Sequence, residues 1–333
     1  MTTLLQAHEV SKHFAIQPGW WSRLTGRGGE RTRLVKAVDR VSFALRKGEI
    51  FGLLGQSGSG KTTLARLLMR LDEPTSGRVF FEDQDITTMP ADALKKHLRR
   101  KTRMLFQHPD AALNPAFTVA QILGQALKTH TTLAAADRNA RAVELLEAVG
   151  LPPSYLSKHP HTLSTGEKRR VSIGRALATD PVLLIADEPV SGLDVTLQSQ
   201  ILNLLLRLHQ ERGLTLLLIA HDLTLIRTLC DRIAVMYAGR LVERGPRDAV
   251  SPDRCRHPYT RALFDARLSA PVAASEVLSS ALSPPSPPSA TGCPYHPTCL
   301  HWQHLDQPER CLHEPPEMIT LSDDHHAACH FAT

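Results

Sequence analysis

Short apolar runs alternate with helix-like patterns from about residue 3 to residue 250. The runs are strand-sized, and the segments between them carry turn residues or apolar positions at helical spacing. This alternation is typical of an α/β fold with a largely parallel sheet. The predicted strands are Leu4–Val10, Val41–Leu45, Ile50–Leu54, Arg103–Phe106, Val182–Ala186, Thr215–Ala220 and Arg232–Tyr237.

The pattern changes twice along the chain. In the middle it is helical throughout, as in AQILGQALKTH and RNARAVELLEAVG, which predicts a helical subdomain over about residues 108–170. Residues 251–292 combine a helix-like segment with a run rich in Ser, Pro and Ala, which has a linker composition. Residues 293–333 hold four of the six cysteines. We expect one α/β domain over residues 3–250, a linker and a small Cys-rich extension.

Composition indicates a globular protein for which no membrane span is expected. Hydrophobic residues make up 42% of the 333-residue chain and charged residues 22%. No apolar run approaches the roughly 18 residues of a membrane helix, and the N-terminus lacks a signal-peptide pattern, so we expect a cytosolic protein. The net charge of +6 fits nucleic acid, an anionic membrane surface or a phosphate-bearing ligand, and composition does not choose among them.

A glycine-rich loop, GQSGSGKTT, follows the apolar run IFGLL and precedes the helical pattern LARLLMRL. It satisfies G-x-x-x-x-G-K-[ST] in the strand–loop–helix context which that motif requires. Glycines let backbone N–H groups surround phosphate oxygens, and the helix N-terminus adds the positive end of its dipole. Lys61 is expected to bridge the β- and γ-phosphates, and the Thr62 hydroxyl to bind Mg²⁺. The predicted nucleotide-binding residues are Gly55, Gln56, Ser57, Gly58, Ser59, Gly60, Lys61, Thr62 and Thr63.

Two adjacent acids end another apolar run, LLIADEP. Asp187 is expected to hold Mg²⁺, as in a Walker B strand, and Glu188 to orient and deprotonate the attacking water. Gln107 ends MLFQ and is a candidate contact for both the metal and the water. His221 follows LTLLLIA as a candidate donor to the γ-phosphate, and Asp194 closes the segment SGLD. Because strand ends gather at one edge of a parallel sheet, these side chains are expected to converge.

The segment LSTGEKRR has two interpretations. Ser164 and Glu167 have the spacing of a capping box, which predicts the start of a helix. A helix cap requires neither Thr165 nor Gly166, so the segment is also a candidate half of an active site that another chain completes. The residues alone leave both interpretations open.

Together, the glycine-rich loop, Gln107, LSTGE, LLIADEP, SGLD and His221 resemble the nucleotide-binding subunit of an ATP-binding-cassette (ABC) protein over about residues 3–250. The resemblance implies a P-loop NTPase fold with a helical subdomain, ATP hydrolysis, and ATP and Mg²⁺ as cofactors. It also implies a head-to-tail cassette dimer with two ATP molecules between the chains. Each ATP would be held by the P-loop of one chain and the signature loop of the other.

The resemblance assigns further roles. Ser164 and Gly166, followed by Glu167, would reach the γ-phosphate of the partner's ATP. Thr165 stands where the family signature usually has glycine, and its side chain is expected to crowd the loop and weaken that site. Phe14, in VSKHF, matches the aromatic residue that stacks on adenine. The alternative for Phe14 is an ordinary core position at a strand end.

Other segments narrow the resemblance. FQHPDAALNP, HPHTLS, LDVTLQSQILNLL and HPYTRALF resemble the dipeptide/oligopeptide importer group, and VKAVDRVSFAL and the GCPYHPTC tail resemble its F-type ATPase subunit. That group implies a D-type cassette as heterodimer partner, two membrane permeases, a periplasmic solute-binding protein and a place on the cytoplasmic face of the inner membrane. The alternatives are the same role in nickel, metallophore, haem or antimicrobial-peptide transport, and a soluble non-transport cassette. A single P-loop and the lack of sustained heptads weigh against the last, and no nucleic-acid partner is expected.

The tail cysteines Cys293, Cys299, Cys311 and Cys329 are separated by 5, 11 and 17 residues. In a cytosolic chain, clustered cysteines favour metal over disulfide. The first gap is long for a zinc hairpin, but seven nearby histidines keep zinc open, so spacing leaves an iron–sulfur cluster, zinc and free thiols as alternatives. The family resemblance implies a [4Fe–4S] cluster on the four thiolates.

An insertion, PGWWSRLTGRGGERTR (Pro18–Arg33), separates the first two predicted strands. Its two tryptophans and four arginines suit contact with a membrane surface or a permease, and a solvated hairpin explains them equally well.

Overall fold

The computed structural model describes residues 2–16, 33–107, 112–268 and 291–332. The strands in these ranges are β1 Thr3–Ile16, β2 Arg33–Arg46, β3 Ile50–Leu54, β4 Ser76–Phe81, β5 Gln84–Asp85, β6 Thr102–Leu105, β7 Leu183–Asp187, β8 Thr215–Ala220, β9 Arg232–Tyr237, β10 Arg240–Pro246, β11 Ile319–Ser322 and β12 His325–Ala327. The helices are α1 Lys61–Leu68, α2 Ala91–His97, α3 Val119–His130, α4 Ala135–Ala148, α5 Thr165–Leu177, α6 Val195–Arg212, α7 Leu223–Leu229, α8 Pro258–Leu268, α9 Leu300–His304 and α10 Arg310–His313.

The chain divides into two compact units. The first is built mainly from Arg46–Phe51 and Thr88–Ala220. The second is built from Thr3–Leu45, Gly52–Thr87 and His221–Thr333, so β3 contributes residues to both.

The first unit has the strand order β3-β8-β7-β6. Strands β6, β7 and β8 are parallel, with Thr102 opposite Leu183 and Leu183 opposite Thr215. Every residue of β7 and β8 is buried, as their continuous apolar runs predict for strands covered on both faces. Helices α3, α4 and α5 pack on one another in the same unit. The segments that leave β6 and β7 therefore start from the same edge of the sheet.

The second unit contains antiparallel pairings. One sheet has the order β2-β1-β4-β5, and in the other β11-β12-β10-β9 leads to β3. Strands β9 and β10 form a hairpin, and the β11–β12 hairpin near the C-terminus pairs with β10, with Glu243 opposite Ala327. The Cys-rich extension is thus joined to the rest of its unit by main-chain hydrogen bonds.

All seven predicted strands are present in the predicted order, but not always with the predicted length. Those at Ile50–Leu54, Thr215–Ala220 and Arg232–Tyr237 have the expected bounds, whereas β1 and β2 are each 14 residues long. Strands β4, β5, β10, β11 and β12 were not predicted, because polar residues interrupt their apolar positions. The insertion and most of the linker lie outside the described residues. In the part that is described, no helix is long and apolar enough to cross a membrane.

Candidate nucleotide-binding site

The glycine-rich loop lies between β3 and α1, as the motif predicts. Gly58 and Gly60 have φ angles of 79° and 102°, in the left-handed region that favours glycine. A Cβ atom at Gly60 would lie 2.1 Å from the carbonyl oxygen of Ala37, and one at Gly55 would lie 2.4 Å from that of Met236. Other residues are therefore excluded at both positions by backbone crowding, and at Gly60 by conformation as well.

Lys61 is the first residue of α1 and is only 5% exposed. Its ammonium group donates to the carbonyl oxygens of Gly55 (2.7 Å) and Gln56 (2.8 Å), so the charge lies inside the loop itself. Of the predicted set, Gly55, Gln56, Ser59 and Lys61 are buried, Gly60 and Thr63 are half-buried, and Ser57, Gly58 and Thr62 are exposed. A buried cation, a helix N-terminus and a glycine cradle fit a nucleotide phosphate.

Asp187 ends β7 in the first unit, and Glu188 follows directly. Asp187 is 3% exposed, and Glu188 takes a φ of 45° while its N–H donates to the carbonyl oxygen of Ile219 (2.9 Å). Gln107, two residues after β6, donates through Nε2 to Oε2 of Glu188 at 3.0 Å. The structure thus joins two of the three predicted catalytic side chains. A carboxylate held by an amide at the end of a buried strand can orient and deprotonate a water molecule.

The LSTGE segment begins α5 with a capping box. The Ser164 hydroxyl accepts from the N–H of Glu167 (3.3 Å), and the Glu167 carboxylate accepts from the N–H of Ser164 (2.7 Å). Tyr155 also donates to Glu167, and this bond, followed by the one from Ser164, lowers the pKa of the carboxyl. Ser164 and Thr165 are exposed, whereas Gly166 is buried against Leu197. The helix-start interpretation is confirmed, and the exposed Ser164 remains available for a second role.

The other predicted residues belong to other elements than the Gln107–Glu188 pair. Phe14 is 42% exposed, with the Lys12 ammonium 5.3 Å from its ring centroid, so the core interpretation of Phe14 is wrong. His221 is exposed and follows β8 directly. Asp194 caps α6 by accepting from the N–H of Leu197 at 2.9 Å. Phe14, His221 and the glycine-rich loop belong to the second unit, and Asp194 belongs to the first.

Comparison with known proteins agrees with a nucleotide-binding site. Residues 38–191 match the family model "ABC transporter". The chain is 40% identical to the oligopeptide transport ATP-binding protein AppF of Bacillus subtilis, over 98% of this chain and 97% of AppF. It is 42% identical to a probable peptide ABC transporter ATP-binding protein of Sinorhizobium fredii, over 98% of this chain and 89% of that protein. The chain belongs to the ABC transporter ATP-binding proteins.

Solved structures agree with this assignment. The dimeric post-hydrolysis state of the ATP-binding cassette MJ0796, bound to ADP and Pi, is similar with a TM-score of 0.63 and 27% identity. That similarity covers 73% of this chain and 99% of the cassette. The α/β P-loop fold is therefore confirmed, and as an ABC ATP-binding subunit the chain hydrolyses ATP and uses Mg²⁺.

Two residues of this ABC subunit contact the candidate site although the sequence did not single them out. Arg169, in α5, donates to the main chain at Gln107. The hydroxyl of Tyr259, in α8, accepts from the N–H of Gln56 at 3.4 Å. The only sequence signal for Arg169 was its place within EKRR, which is typical of a solvated surface. Tyr259 lies 203 residues from its partner, and no local pattern reveals such a contact.

The four tail cysteines lie in the second unit as free thiols, with Cys293, Cys299 and Cys311 buried. Burial raises the pKa of all four, and that of Cys293 to about 12. Each thiol also interacts electrostatically with the other three. Among the described residues, no group of three or more His, Cys, Asp or Glu side chains is arranged as a metal site.

Backbone donors nevertheless face several of these sulfur atoms. The N–H of Trp302 donates to Cys299 Sγ at 3.3 Å, and main-chain hydrogen bonds also reach Cys293 and Cys329. N–H groups directed at sulfur are the donors that would stabilise a thiolate at these positions.

Proposed function

We propose that the chain is the ATP-hydrolysing subunit of an importer of dipeptides and oligopeptides. The proposal is supported by near full-length similarity to relatives named for oligopeptide transport and peptide ABC transport. In this proposal the subunit lies on the cytoplasmic face of the inner membrane, paired head to tail with a D-type cassette. Two permeases bind the cassette pair, and a periplasmic binding protein delivers the solute.

In this proposal each predicted residue keeps the role that the family resemblance gives it. Lys61 and the N–H groups of the glycine-rich loop hold the ATP phosphates, Phe14 stacks on adenine, and His221 donates to the γ-phosphate. Thr62, Gln107 and Asp187 are the ligands for Mg²⁺, which neutralises phosphate charge when bound. Ser164, Gly166 and Glu167 face the partner's ATP, and Asp194 lies by this chain's own nucleotide.

Glu188 is the proposed catalytic base, and its contact with Gln107 is the observation that carries the mechanism. The amide Nε2 of Gln107 lies 3.0 Å from the Glu188 carboxylate and fixes one of its oxygens. The other oxygen is then directed to accept the proton of the attacking water. General-base catalysis of this kind contributes about 10²- to 10⁴-fold in rate.

The test is Glu188→Gln in the assembled transporter, with ATP turnover and ATP binding measured separately. Turnover at this chain's own site is expected to fall at least about 100-fold, because the amide cannot accept the proton. ATP affinity should stay within about twofold of wild type, since the isosteric amide leaves the P-loop untouched. Glu144→Gln, at an exposed acid of α4, is the matched control. Undiminished turnover in Glu188→Gln would remove the catalytic assignment.

We further propose that Cys293, Cys299, Cys311 and Cys329 hold a [4Fe–4S] cluster, with zinc as the alternative. Support comes from their mutual electrostatic contact and from the N–H groups directed at sulfur. When bound, the cluster would cross-link the tail and provide a redox-active centre. The test is iron and zinc analysis of anaerobically purified protein, together with its visible absorbance. Zinc without iron would exclude the cluster.

The peptide assignment is tested through the complex. Purification with its solute-binding partner, followed by mass spectrometry of the bound solute, is expected to give short peptides. Nickel, a metallophore or haem in their place would retain the ATPase assignment and replace the cargo.

A further inference from the structure

We propose that Arg169 is a positioning residue for ATP hydrolysis, which ties the signature helix α5 to the segment that holds Gln107. Its guanidinium donates to the carbonyl oxygens of Phe106 (2.8 Å, from Nη1) and Gln107 (2.7 Å, from Nη2). The two carbonyls belong to consecutive residues just after β6. The planar fork of an arginine matches two neighbouring acceptors in a way that a lysine ammonium cannot.

Keeping the charged guanidinium of Arg169 in its buried position costs free energy. The side chain is 1% exposed, and burial lowers the pKa of the guanidinium. Within the described residues its hydrogen bonds go to carbonyl oxygens, and Nε has no hydrogen-bond partner. Replacing a buried charge by an apolar side chain of similar size is often neutral or stabilising. Stability therefore gives no reason for an arginine here, which points to a role in positioning.

The backbone that Arg169 holds belongs to Gln107, and the side chain of Gln107 orients the proposed catalytic base, Glu188. The carbonyl of Gln107 is held by Arg169, and its amide holds the Glu188 carboxylate at 3.0 Å. Glu188 is fixed in turn by its N–H bond to Ile219.

The other end of the same helix carries the signature residues. Ser164 caps α5, and Arg169 is its fifth residue, so about 1.5 Å of rise per residue places the two little more than one turn apart. Over such a length a capped helix moves as a rigid body. Gly166, between them, lies beside Leu197 of α6.

On the proposed function, these contacts connect the two ATP sites through one chain. Ser164 and Gly166 serve the partner's ATP, whereas Gln107 and Glu188 serve the ATP on this chain's own P-loop. When phosphate draws the start of α5 toward the partner, Arg169 moves the Gln107 backbone with it. The contact between Arg169 and the Gln107 segment thereby couples ATP binding at one site to the orientation of Glu188 at the other.

The test compares Arg169→Met, Arg169→Lys and Arg170→Met in the assembled transporter. Met has an unbranched stem and a helix propensity close to that of arginine but cannot donate, so kcat is expected to fall about tenfold or more while KM for ATP stays within about twofold. Arg169→Lys should recover part of kcat, because its ammonium reaches one carbonyl. Arg170 is the matched control, since it donates to Val149 O (2.7 Å) and Gln200 Oε1 (3.0 Å) in the same unit, and its kcat should not change.

A second readout separates positioning from general stability. Hydrogen exchange at the amides of Phe106 and Gln107 should rise in Arg169→Met, while the melting temperature falls no further than in Arg170→Met. Wild-type kcat in Arg169→Met would overturn the proposal, as would an equal loss in both arginine variants. Full turnover in Glu188→Gln would contradict the proposed catalytic site itself rather than the role of Arg169. An inactive Glu188→Gln with a fully active Arg169→Met contradicts the role of Arg169 alone.

Discussion

At the residue scale, the backbone of Glu188 shows how the proposed base is held. Its φ of 45° lies in a region that L-residues rarely adopt, and such strain persists only where surrounding contacts fix it. Here the N–H bond to Ile219 and the amide of Gln107 supply those contacts. The strained backbone and the paired side chain together restrict the carboxylate to one direction.

Thr165 is the residue at which the signature departs from its family, and the structure exposes it at the first position of α5. We expect Thr165→Gly to raise turnover at the ATP site that this loop completes. On the proposed function, removing this side chain relieves the crowding of N–H groups that would meet phosphate, and a gain of about threefold corresponds to ~0.7 kcal/mol. The measurement is steady-state ATPase in the assembled transporter, with this chain's own site silenced by Glu188→Gln.

Thr165→Ser, which removes only the methyl group, is the matched control and should give a smaller gain. Glycine and threonine differ by only about 0.3–0.5 kcal/mol in helix propensity, so stability should change little. Equal activity in all three proteins would show that Thr165 does not hinder the site.

His257 predicts a pH dependence of stability. It is fully buried, and burial lowers its pKa from an ordinary value of 6.5 to about 4. Its Nδ1 accepts from the N–H of Tyr259 at 3.1 Å, so protonation there would oppose two N–H groups. Between pH 6.5 and pH 4 the His257 imidazole is protonated in the unfolded chain but not in the folded chain. Stability is therefore complete above pH 6.5 and falls by up to about 3 kcal/mol as pH decreases to 4.

Urea unfolding at pH 7.5 and pH 5 measures this effect. His257→Asn keeps an acceptor but does not titrate, so its free energy of unfolding should depend less on pH than that of wild type. His130, whose pKa is also lowered to about 4 by burial, leaves part of the acid sensitivity in place. The exposed His161→Asn should behave as wild type. An unchanged pH slope in His257→Asn would contradict the assignment.

At the element scale, one side chain on β10 joins three segments of the second unit. Glu243 is 0% exposed and accepts from the N–H groups of Arg256 (2.7 Å) and His257 (3.1 Å) before α8. Its carboxylate also lies 2.9 Å from Nε2 of His325 on β12. The segment before α8 and the hairpin near the C-terminus are therefore both held by a single carboxylate.

Glu243→Ala is expected to destabilise the protein by about 3 kcal/mol or more, because it leaves two buried N–H groups and an imidazole without their acceptor. Denaturant unfolding measures the loss, and hydrogen exchange should rise first in β12. The control is Glu314→Ala, which breaks the exposed Arg310–Glu314 pair and should cost less than about 1 kcal/mol. A loss in Glu243→Ala as small as that of the control would show that Glu243 does not join these segments.

The elements differ in how far the sequence could predict them. Fully buried strands such as β7 and β8 were foreseen from their apolar runs, and the glycine-rich loop from its motif. Strand β10 was missed because its sequence, RLVERGP, places the buried Glu243 where the pattern indicates a surface residue. Glu243 becomes compatible with a core only through donors that come from distant segments. The contacts of Arg169 were hidden for the same reason, since both of its acceptors are more than 60 residues away.

At the scale of the whole molecule, the Cys-rich tail and the glycine-rich loop share one compact unit. Three buried tyrosines lie between them. Tyr259 packs on Tyr237 with ring centroids 4.5 Å apart and on Tyr295 at 5.4 Å. Tyr295 stands between Cys293 and Cys299 in the chain, and the Tyr259 hydroxyl accepts from the N–H of Gln56. A continuous set of packed rings therefore runs from the cysteines to the phosphate loop.

Tyr259→Phe is expected to weaken ATP binding without unfolding the protein. The substitution keeps the ring stacking and removes only the acceptor of the Gln56 N–H, which lies 3.4 Å away. A neutral hydrogen bond contributes about 0.5–1.5 kcal/mol, and this one is long, so the Kd for ATP should rise about two- to fivefold. The measurement is equilibrium titration of the full-length protein with a non-hydrolysable ATP analogue. Tyr295→Phe removes a hydroxyl from the same cluster without touching Gln56 and should bind as wild type. Equal affinity in the two variants would mean that the phosphate loop does not depend on the tyrosine cluster.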